Sequence, residues 1–193
     1  MTGDVFEQFA EEYDRWFEEH PDEYRAELDR VRRLLPPPDS RTIEIGAGSG
    51  RFAAPLGITL GIEPSRALGR MAHRRGIDIV RGCAESLPIR DNSCSSVLMV
   101  TVICFLVDPA PAFREIHRVL VPHGDFVIGF IEREGEVAQQ YLHEKGKHRF
   151  LSHARFYSSG EVLEFLHGAG FHEMKVDSRA GFSVIATRKN RNG

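Results

Sequence analysis

The stretch Glu44-Ile45-Gly46-Ala47-Gly48-Ser49-Gly50 carries the strongest signal in this chain of 193 residues. It follows the short apolar run Thr42–Ile45 and leads into a helical pattern near Gly50–Leu56. It therefore lies where a strand turns into a helix. Glycines at such a junction let the backbone adopt positive φ and approach a ligand closely. The loop is predicted to bind a small molecule.

The neighbours of the glycines distinguish between the ligands that use such a loop. A nucleoside-triphosphate loop needs Gly-Lys followed by Ser or Thr, and no lysine follows here. A dinucleotide loop has glycine at its sixth position, where this chain has Arg51. The carboxylate of Glu44 would repel a pyrophosphate, which needs bare amide N–H groups, but it suits the ammonium group of S-adenosylmethionine.

A second acid supports the same ligand. Glu63 follows the apolar run Thr59–Ile62 within Gly61-Ile62-Glu63-Pro64-Ser65, nineteen residues after Glu44. A carboxylate at the end of a second strand can accept hydrogen bonds from both hydroxyl groups of a ribose. The two acids, each in its strand position, predict a site for S-adenosylmethionine.

Outward from the loop, short apolar runs alternate with helical patterns. Runs such as Val97–Val100 and Phe126–Ile128 lack polar alternation, as strands covered on both faces do. The alternation predicts a doubly wound α/β sheet whose last two strands, joined without a helix, are antiparallel. The predicted strands are Thr42–Ile45, Thr59–Ile62, Ile77–Val80, Val97–Thr101, Asp125–Ile131, Glu173–Asp177 and Phe182–Thr187, with helices near Gly50–Leu56, Ser65–Arg75, Pro109–Leu120 and Ser158–Ala169.

Residues 1–38 are predicted to form a helical cap on a core of residues 39–193, within a single domain. A second helix of this cap runs from about Asp22 to Leu35, where Pro36-Pro37-Pro38 ends it because proline cannot donate to the helix ladder. The first helix places on one face a set of residues at three- and four-residue steps, namely Phe6, Phe9, Ala10, Tyr13 and Phe17.

Composition argues against several other classes of protein. Lys and Arg total 25 against 28 Asp and Glu, so the net charge of −3 gives no drive toward nucleic acid or an anionic membrane. No apolar run is long enough to span a membrane, and the acidic N-terminus is unlike a signal peptide, so we expect a cytoplasmic protein. The three cysteines form no CxxC pair. No metal site is predicted, because His143, His148 and His153 fit no ligand spacing.

The chain resembles class I S-adenosylmethionine-dependent methyltransferases, and among them the UbiE-like enzymes that act on small molecules. The resemblance extends from about Tyr13 to Thr187. Its motifs are Tyr13-Asp14-Arg15-Trp16-Phe17, Glu44–Gly50, Gly61–Ser65, Gly82-Cys83-Ala84-Glu85-Ser86-Leu87-Pro88, Ala112-Phe113-Arg114-Glu115-Ile116 and Arg118-Val119-Leu120-Val121-Pro122-His123-Gly124.

This resemblance implies a Rossmann-like, seven-stranded sheet of order 3-2-1-4-5-7-6 in which only strand 7 is antiparallel. It implies S-adenosylmethionine as the cofactor and a small-molecule nucleophile as the methyl acceptor. The implied cofactor contacts are Glu44, Gly46, Ala47, Gly48 and Gly50 at the methionine end, Glu63 followed by Pro64 at the ribose, Ala84 and Glu85 along the adenine edge, Val100 and Thr101 beneath the cofactor, and Tyr13 above it.

Three features depart from the family pattern. Cys83 stands where the family often has an Asp that contacts adenine, so a backbone group would serve instead. Cys94-Ser95 replaces the usual Phe-Asp before the fourth strand, which removes a structural carboxylate. The short spacing between Glu44 and Glu63 leaves little room for the first helix, and we expect a trimmed sheet edge.

The acceptor side offers weaker signals. Cys104 follows the fourth strand, where acceptor pockets of this fold begin, although a buried apolar thiol explains it as well. No residue is evident as a general base, and His153 and Tyr157 are candidates by position alone. The segment after strand five carries cations that would either favour an acidic acceptor or face solvent, namely Arg133, Lys145, Lys147, Arg149 and Arg155.

Two alternative functions stay open at this point. A non-catalytic module that binds S-adenosylmethionine would keep Glu44 and Glu63 as well. A methyltransferase of RNA or protein would share the same cofactor loop, although the negative net charge makes nucleic acid a poor partner. The oligomeric state is not predicted.

Overall fold

The structure, a computed structural model, describes residues 2–144, 149–151 and 154–190. Seven strands form one sheet in the order β3-β2-β1-β4-β5-β7-β6. Strands β1 to β5 pair in parallel, whereas β7 is antiparallel to both β5 and β6. The predicted Rossmann-like α/β fold is therefore confirmed. The strands are β1 (Thr42–Ile45), β2 (Leu60–Ile62), β3 (Asp78–Val80), β4 (Cys94–Val100), β5 (Leu120–Ile131), β6 (Phe171–Arg179) and β7 (Phe182–Lys189).

Helices cover both faces of this sheet, as its apolar strands require. No helix in the described ranges is long and apolar enough to cross a membrane. The helices are α1 (Thr2–Gln8), α2 (Ala10–Glu19), α3 (Pro21–Leu34), α4 (Ala53–Leu56), α5 (Arg66–Arg74), α6 (Pro109–Val119), α7 (Glu136–His143) and α8 (Ser159–Gly168), with one 3₁₀ turn at Ile103–Phe105.

The N-terminal helices contribute to one of the two hydrophobic clusters of the core. Val31 of α3 is fully buried in one cluster with Val127 of β5 and Val184 of β7. Arg30, on the same helix, donates hydrogen bonds to the carbonyl oxygens of three residues of the β6–β7 hairpin: Asp177 at 2.7 Å, Arg179 at 2.8 Å and Phe182 at 2.6 Å. Helix α3 is therefore fixed to the sheet by both apolar and polar contacts.

The opposite face carries α6 and α8. Phe113 of α6 and Leu166 of α8 are fully buried in a second cluster together with Phe126 and Ile128 of β5. Asp108 begins α6 by accepting a hydrogen bond from the Ala110 amide, and Pro109 occupies the first helical turn, as the sequence predicts.

The N-terminal segment differs from its predicted single helix. It breaks at Phe9, whose φ of −123° and ψ of 34° are not helical, so α1 and α2 are separate helices. The break lets α1 reach α5, where Glu7 accepts hydrogen bonds from the Ser65 hydroxyl at 2.7 Å and the Ala67 amide at 3.0 Å. Periodicity alone does not show this break, because the apolar spacing continues through it.

The region after α6 also differs from the prediction. Pro122-His123-Gly124 lies within β5, which already begins at Leu120 instead of near Asp125. The pairing of β5 with β4 moves from Cys94–Leu120 to Ser96–Asp125, so four residues of β5 face the single residue Ser95. A bulge of this kind accommodates a proline that a regular ladder would exclude.

Candidate functional site

A cavity of about 380 Å³ opens at the carboxyl ends of β1, β2 and β4, where open α/β sheets bind ligands. We call it the cofactor cavity. Of the twelve residues predicted to contact a cofactor, nine line it, namely Tyr13, Gly46, Gly48, Glu63, Pro64, Ala84, Glu85, Val100 and Thr101. Glu44, Ala47 and Gly50 do not line it.

The loop after β1 requires its glycines. Gly46 has φ of +68°, and a Cβ atom there would lie 2.2 Å from Cγ2 of Val102. The amides of Gly46 and Ala47 donate to the carbonyl oxygen of Ile62 at 2.8 and 3.1 Å, which fixes the loop to β2. Gly50 packs against α5, where a Cβ atom would lie 3.2 Å from Cα of Ala72. Ala47 and Gly50 thus shape the loop from outside the cavity.

Glu63 sits at the cavity with its carboxylate fixed by backbone donors. It accepts hydrogen bonds from the Gly48 amide at 2.8 Å and the Ser65 amide at 2.9 Å. Burial raises its pKa, and the two amides oppose this effect. Each carboxylate oxygen has a further lone pair, so Glu63 can still accept hydrogen bonds from ligand hydroxyl groups.

Glu44 is buried at the third position of β1. Burial raises its pKa well above the ordinary value, with a hydrogen bond from the Ala53 amide opposing and the charge of Glu63 adding to the shift. Among the residues the structure describes, its Oε2 atom has no hydrogen-bond partner. An unpaired buried carboxylate oxygen beside a glycine loop fits a cofactor that carries an ammonium group.

Asp14 fastens α2 to the glycine loop, a role that the sequence does not reveal. It accepts hydrogen bonds from the Ser49 hydroxyl at 2.5 Å and from Nη2 atoms of Arg51 at 2.6 Å and Arg75 at 2.7 Å. Burial opposes its ionisation, but these donors outweigh burial and lower its pKa to about 2. Its place in the motif Tyr13–Phe17 is the one sequence signal that marks it.

Tyr13 stands above the loop because Asp14 holds its helix there. A Cβ atom at Gly48 would lie 3.6 Å from the Tyr13 ring. Burial raises the pKa of Tyr13, the charges of Glu63 and Glu44 add to the shift, and a hydrogen bond with the Thr101 side chain opposes it. The phenol is therefore neutral near pH 7.

A second cavity of about 460 Å³ adjoins the first, and we call it the acceptor cavity. The two cavities share three lining residues: Tyr13, Thr101 and Phe105. Of the twenty described residues that line the acceptor cavity, eight are aromatic, and four are acidic residues from α2 and α3. Its aromatic lining consists of Tyr13, Trp16, Phe17, Phe52, Phe105, Tyr141, Phe150 and Phe182.

The predicted acceptor residues are placed differently from one another. Cys104 lines the acceptor cavity, its thiol donates to the Thr101 carbonyl oxygen at 3.3 Å, and burial raises its pKa to about 12. It is thus a neutral thiol. Arg149 lines the same cavity, pairs with Glu12 at 3.2 Å and lies 3.8 Å from the centre of the Phe9 ring.

The other candidates on this side lie elsewhere. Arg155 is exposed and lines neither cavity. Tyr157 is buried in the core against Phe165 and lines neither cavity, which separates it from the predicted catalytic position. Arg133 pairs with Glu161 at 2.7 Å. In the described part of the chain, the expected cationic lining is thus reduced to Arg149. The remaining candidates, His153, Lys145 and Lys147, fall outside the described residues.

The structure shows the surroundings of the two positions, Cys83 and Ser95, at which the chain departs from the family pattern. Cys83 is exposed and lines the cofactor cavity at the place predicted for the adenine edge. The Ser95 hydroxyl donates to Oδ1 of Asp39 at 2.5 Å, and the same carboxylate oxygen accepts from the Arg41 amide at 2.8 Å. A carboxylate is thus present beside β4, supplied by the turn before β1.

The comparisons with known proteins agree with this site. A family model described as a methyltransferase domain matches residues 43–128. A solved structure from Thermotoga maritima, described as a SAM-dependent methyltransferase and possible histamine N-methyltransferase, has a TM-score of 0.93 and 37% identity, and the match covers 98% of this chain and 100% of that one. The chain belongs to the class I S-adenosylmethionine-dependent methyltransferases, and S-adenosylmethionine is its cofactor.

Two curated relatives extend the comparison. An uncharacterized protein of Methanocaldococcus jannaschii is 37% identical over 172 residues, covering 89% of this chain and 83% of that protein. The malonyl-[acyl-carrier protein] O-methyltransferase of Methylococcus capsulatus is 29% identical, covering 82% of this chain and 62% of that enzyme.

Proposed function

We propose that this enzyme transfers a methyl group from S-adenosylmethionine to a small molecule bound in the acceptor cavity. One observation carries the proposal: the cofactor and acceptor cavities meet at Tyr13, Thr101 and Phe105. An acceptor on one side of this junction can approach a cofactor on the other without leaving the protein. A cavity of about 460 Å³ is in the range that suits a small ligand.

The residues of the two cavities have different roles: those of one position the cofactor, and those of the other orient the acceptor. When bound, S-adenosylmethionine supplies an electrophilic methyl group whose bonding electron pair leaves with sulfur. Glu63 and the glycine loop, through Gly46 and Gly48, position the ligand on the cofactor side. The aromatic wall excludes water and orients the acceptor, which is the main task when the leaving group is already activated. In the described residues, neither His nor Lys lines the acceptor cavity.

The named relatives favour small nucleophilic groups but differ in the atom that is methylated. The Thermotoga maritima protein is described as a possible N-methyltransferase of histamine, which is an amine. The Methylococcus capsulatus enzyme is described as an O-methyltransferase of a malonyl group on a carrier protein. A small acceptor group reaching the junction through the acceptor cavity is compatible with either chemistry. The walls of the acceptor cavity then determine which acceptors this chain accepts.

The test is formation of S-adenosylhomocysteine with panels of small amines, phenols and carboxylic acids. We expect turnover with at least one small acceptor. Tyr141→Ala, which alters only the acceptor cavity, should change the acceptor KM and leave S-adenosylhomocysteine affinity unchanged. Tyr157→Phe is the matched control because Tyr157 lines neither cavity. Methylation of RNA or protein alone would contradict the proposal, and cofactor binding without any turnover would favour the non-catalytic alternative.

A further inference from the structure

The described walls of the acceptor cavity carry an excess of negative charge. Four carboxylates line it, all from the N-terminal helices, against one guanidinium. That guanidinium belongs to Arg149, which already pairs with Glu12 at 3.2 Å. The other three carboxylates that line the cavity, outside this ion pair, are Glu19, Glu23 and Glu27.

Glu27 differs from the other two because it is half-buried, whereas Glu19 and Glu23 are exposed. Its carboxylate makes no hydrogen bond or ion pair among the described residues. Arg30, one turn further along α3, attracts its charge, but the Arg30 guanidinium is hydrogen-bonded to the carbonyl oxygens of Asp177, Arg179 and Phe182. Glu27 is thus an acid in an aromatic cavity without a partner that neutralises it.

Burying an ionised carboxylate in such surroundings costs free energy unless a cation pairs with it. Burial raises the pKa of Glu27 to about 7, with the charge of Arg30 opposing and that of Glu23 adding to the shift. A bound ammonium group would supply the missing partner. The aromatic rings of the same wall, Trp16 and Phe52 among them, offer π faces that also attract cations.

We infer that the acceptor carries an ammonium group recognised by Glu27, together with a separate nucleophilic atom that reaches the junction at Tyr13 and Thr101. Two placements support this division. Glu27 lines the acceptor cavity alone, whereas Tyr13 and Thr101 line both cavities. The cation therefore binds away from the reacting methyl group, and Glu27 acts as a specificity residue. The inference rests on the proposed function, because it assigns the substrate class of the same cavity.

The test compares matched ligands that differ in charge. The probes are 2-arylethylamines whose ring bears a nucleophilic nitrogen or hydroxyl group, and the arylacetates of the same rings. Their affinities for the full chain saturated with S-adenosylhomocysteine are measured by calorimetry. We expect the amines to bind at least tenfold more tightly than the acids. Equal affinity, the opposite preference or no binding of the amines would overturn the inference.

Variants then assign the recognition to Glu27. We expect Glu27→Gln to weaken amine binding at least tenfold while S-adenosylhomocysteine affinity stays within twofold. Asp29→Asn is the control, because it removes one charge from the same helix outside both cavities. Should Glu27→Gln fail to fold, Glu23→Gln tests the same negative wall, with a smaller loss of amine affinity. Unchanged amine affinity in Glu27→Gln would overturn the assignment. If Glu27→Gln does not fold, unchanged amine affinity in Glu23→Gln would overturn it instead.

Failure of the amine-binding test can be distinguished from failure of the proposed methyltransferase function. Turnover with phenols or carboxylic acids but no binding of the amines would leave the methyltransferase proposal intact and remove the inference. Absence of turnover with every small acceptor would remove the proposed function itself.

Discussion

The cofactor cavity and the acceptor cavity adjoin, but the chain builds them in different ways. The cofactor cavity is formed by strand ends and by a loop whose backbone shape depends on glycine. Its lining residues lie close together in sequence, as Gly46 and Gly48 do in the loop and as the run Gly82–Glu85 does. The acceptor cavity is formed by side chains from α2, α3, α7 and the β6–β7 turn, which are far apart in sequence. Contiguous backbone motifs can be recognised in a sequence, whereas a wall of dispersed side chains cannot.

The largest expected effect is that of Gly46→Ala on the cofactor side. Its positive φ costs an alanine roughly 1–2 kcal/mol, and the new Cβ atom would overlap Val102, a stiff β-branched neighbour, which adds roughly 1–3 kcal/mol. We expect S-adenosylhomocysteine binding to be lost and Tm to fall, as measured by calorimetry and thermal unfolding. Gly57→Ala, with φ of +81° but no atom within 4 Å of the new Cβ, isolates the backbone cost. Near-normal binding by Gly46→Ala would refute the close-approach role of the loop.

Glu63→Ala is expected to weaken S-adenosylhomocysteine binding by roughly 1.5–3 kcal/mol, the value for hydrogen bonds to a charged acceptor. The physical reason is loss of the carboxylate that the Gly48 and Ser65 amides hold at the cavity. Calorimetric titration measures the change. Glu85→Ala, at an exposed position of the same cavity, should have a smaller effect. An affinity within twofold of the parent would show that Glu63 does not contact the ribose.

Glu27→Gln should change stability in a pH-dependent way. Between its ordinary pKa of 4.5 and its folded value of about 7, the folded chain keeps a proton that the unfolded chain has released. The wild type therefore loses stability relative to the variant as pH rises through this window. We expect equal Tm values near pH 4 and a higher Tm for Glu27→Gln at pH 8, measured by thermal unfolding with Asp29→Asn as the control. A constant difference in Tm across this range would contradict the raised pKa.

The smallest effects are expected from the two arginines Arg149 and Arg155, of which only Arg149 lines the acceptor cavity. Arg149→Ala removes the partner of Glu12 and should change the acceptor KM by roughly two- to fivefold, as for an exposed ion pair. Arg155→Ala should leave the kinetics unchanged, because this residue lines neither cavity. Steady-state kinetics with one acceptor distinguish the two. Equal effects of both variants would mean that the segment acts through its overall charge and not through contact.

The sequence predicts the fold well where local signals are strong. The bounds of β1 are identical in prediction and structure, and all seven predicted strands are present in the described chain. Helix α7 and the break at Phe9 were not predicted, because both depend on what the segment packs against. The β5 bulge was also missed, since Pro122-His123-Gly124 is a typical helix-ending pattern and only the partner strand shows that it is extended.

The sequence by itself determined the order of elements and the cofactor loop, because apolar periodicity and the conformational freedom of glycine act within a few residues. Only the tertiary structure decided the neighbours of Asp14 and the acidic, aromatic character of the acceptor cavity. Asp14 binds side chains within residues 49–75, and the acceptor cavity brings residues 12–27 together with residues 101–105, 131–141, 149–151 and 180–182. The charge lining a cavity depends on which side chains the fold turns toward it, and the number of cations in a segment does not reveal that direction.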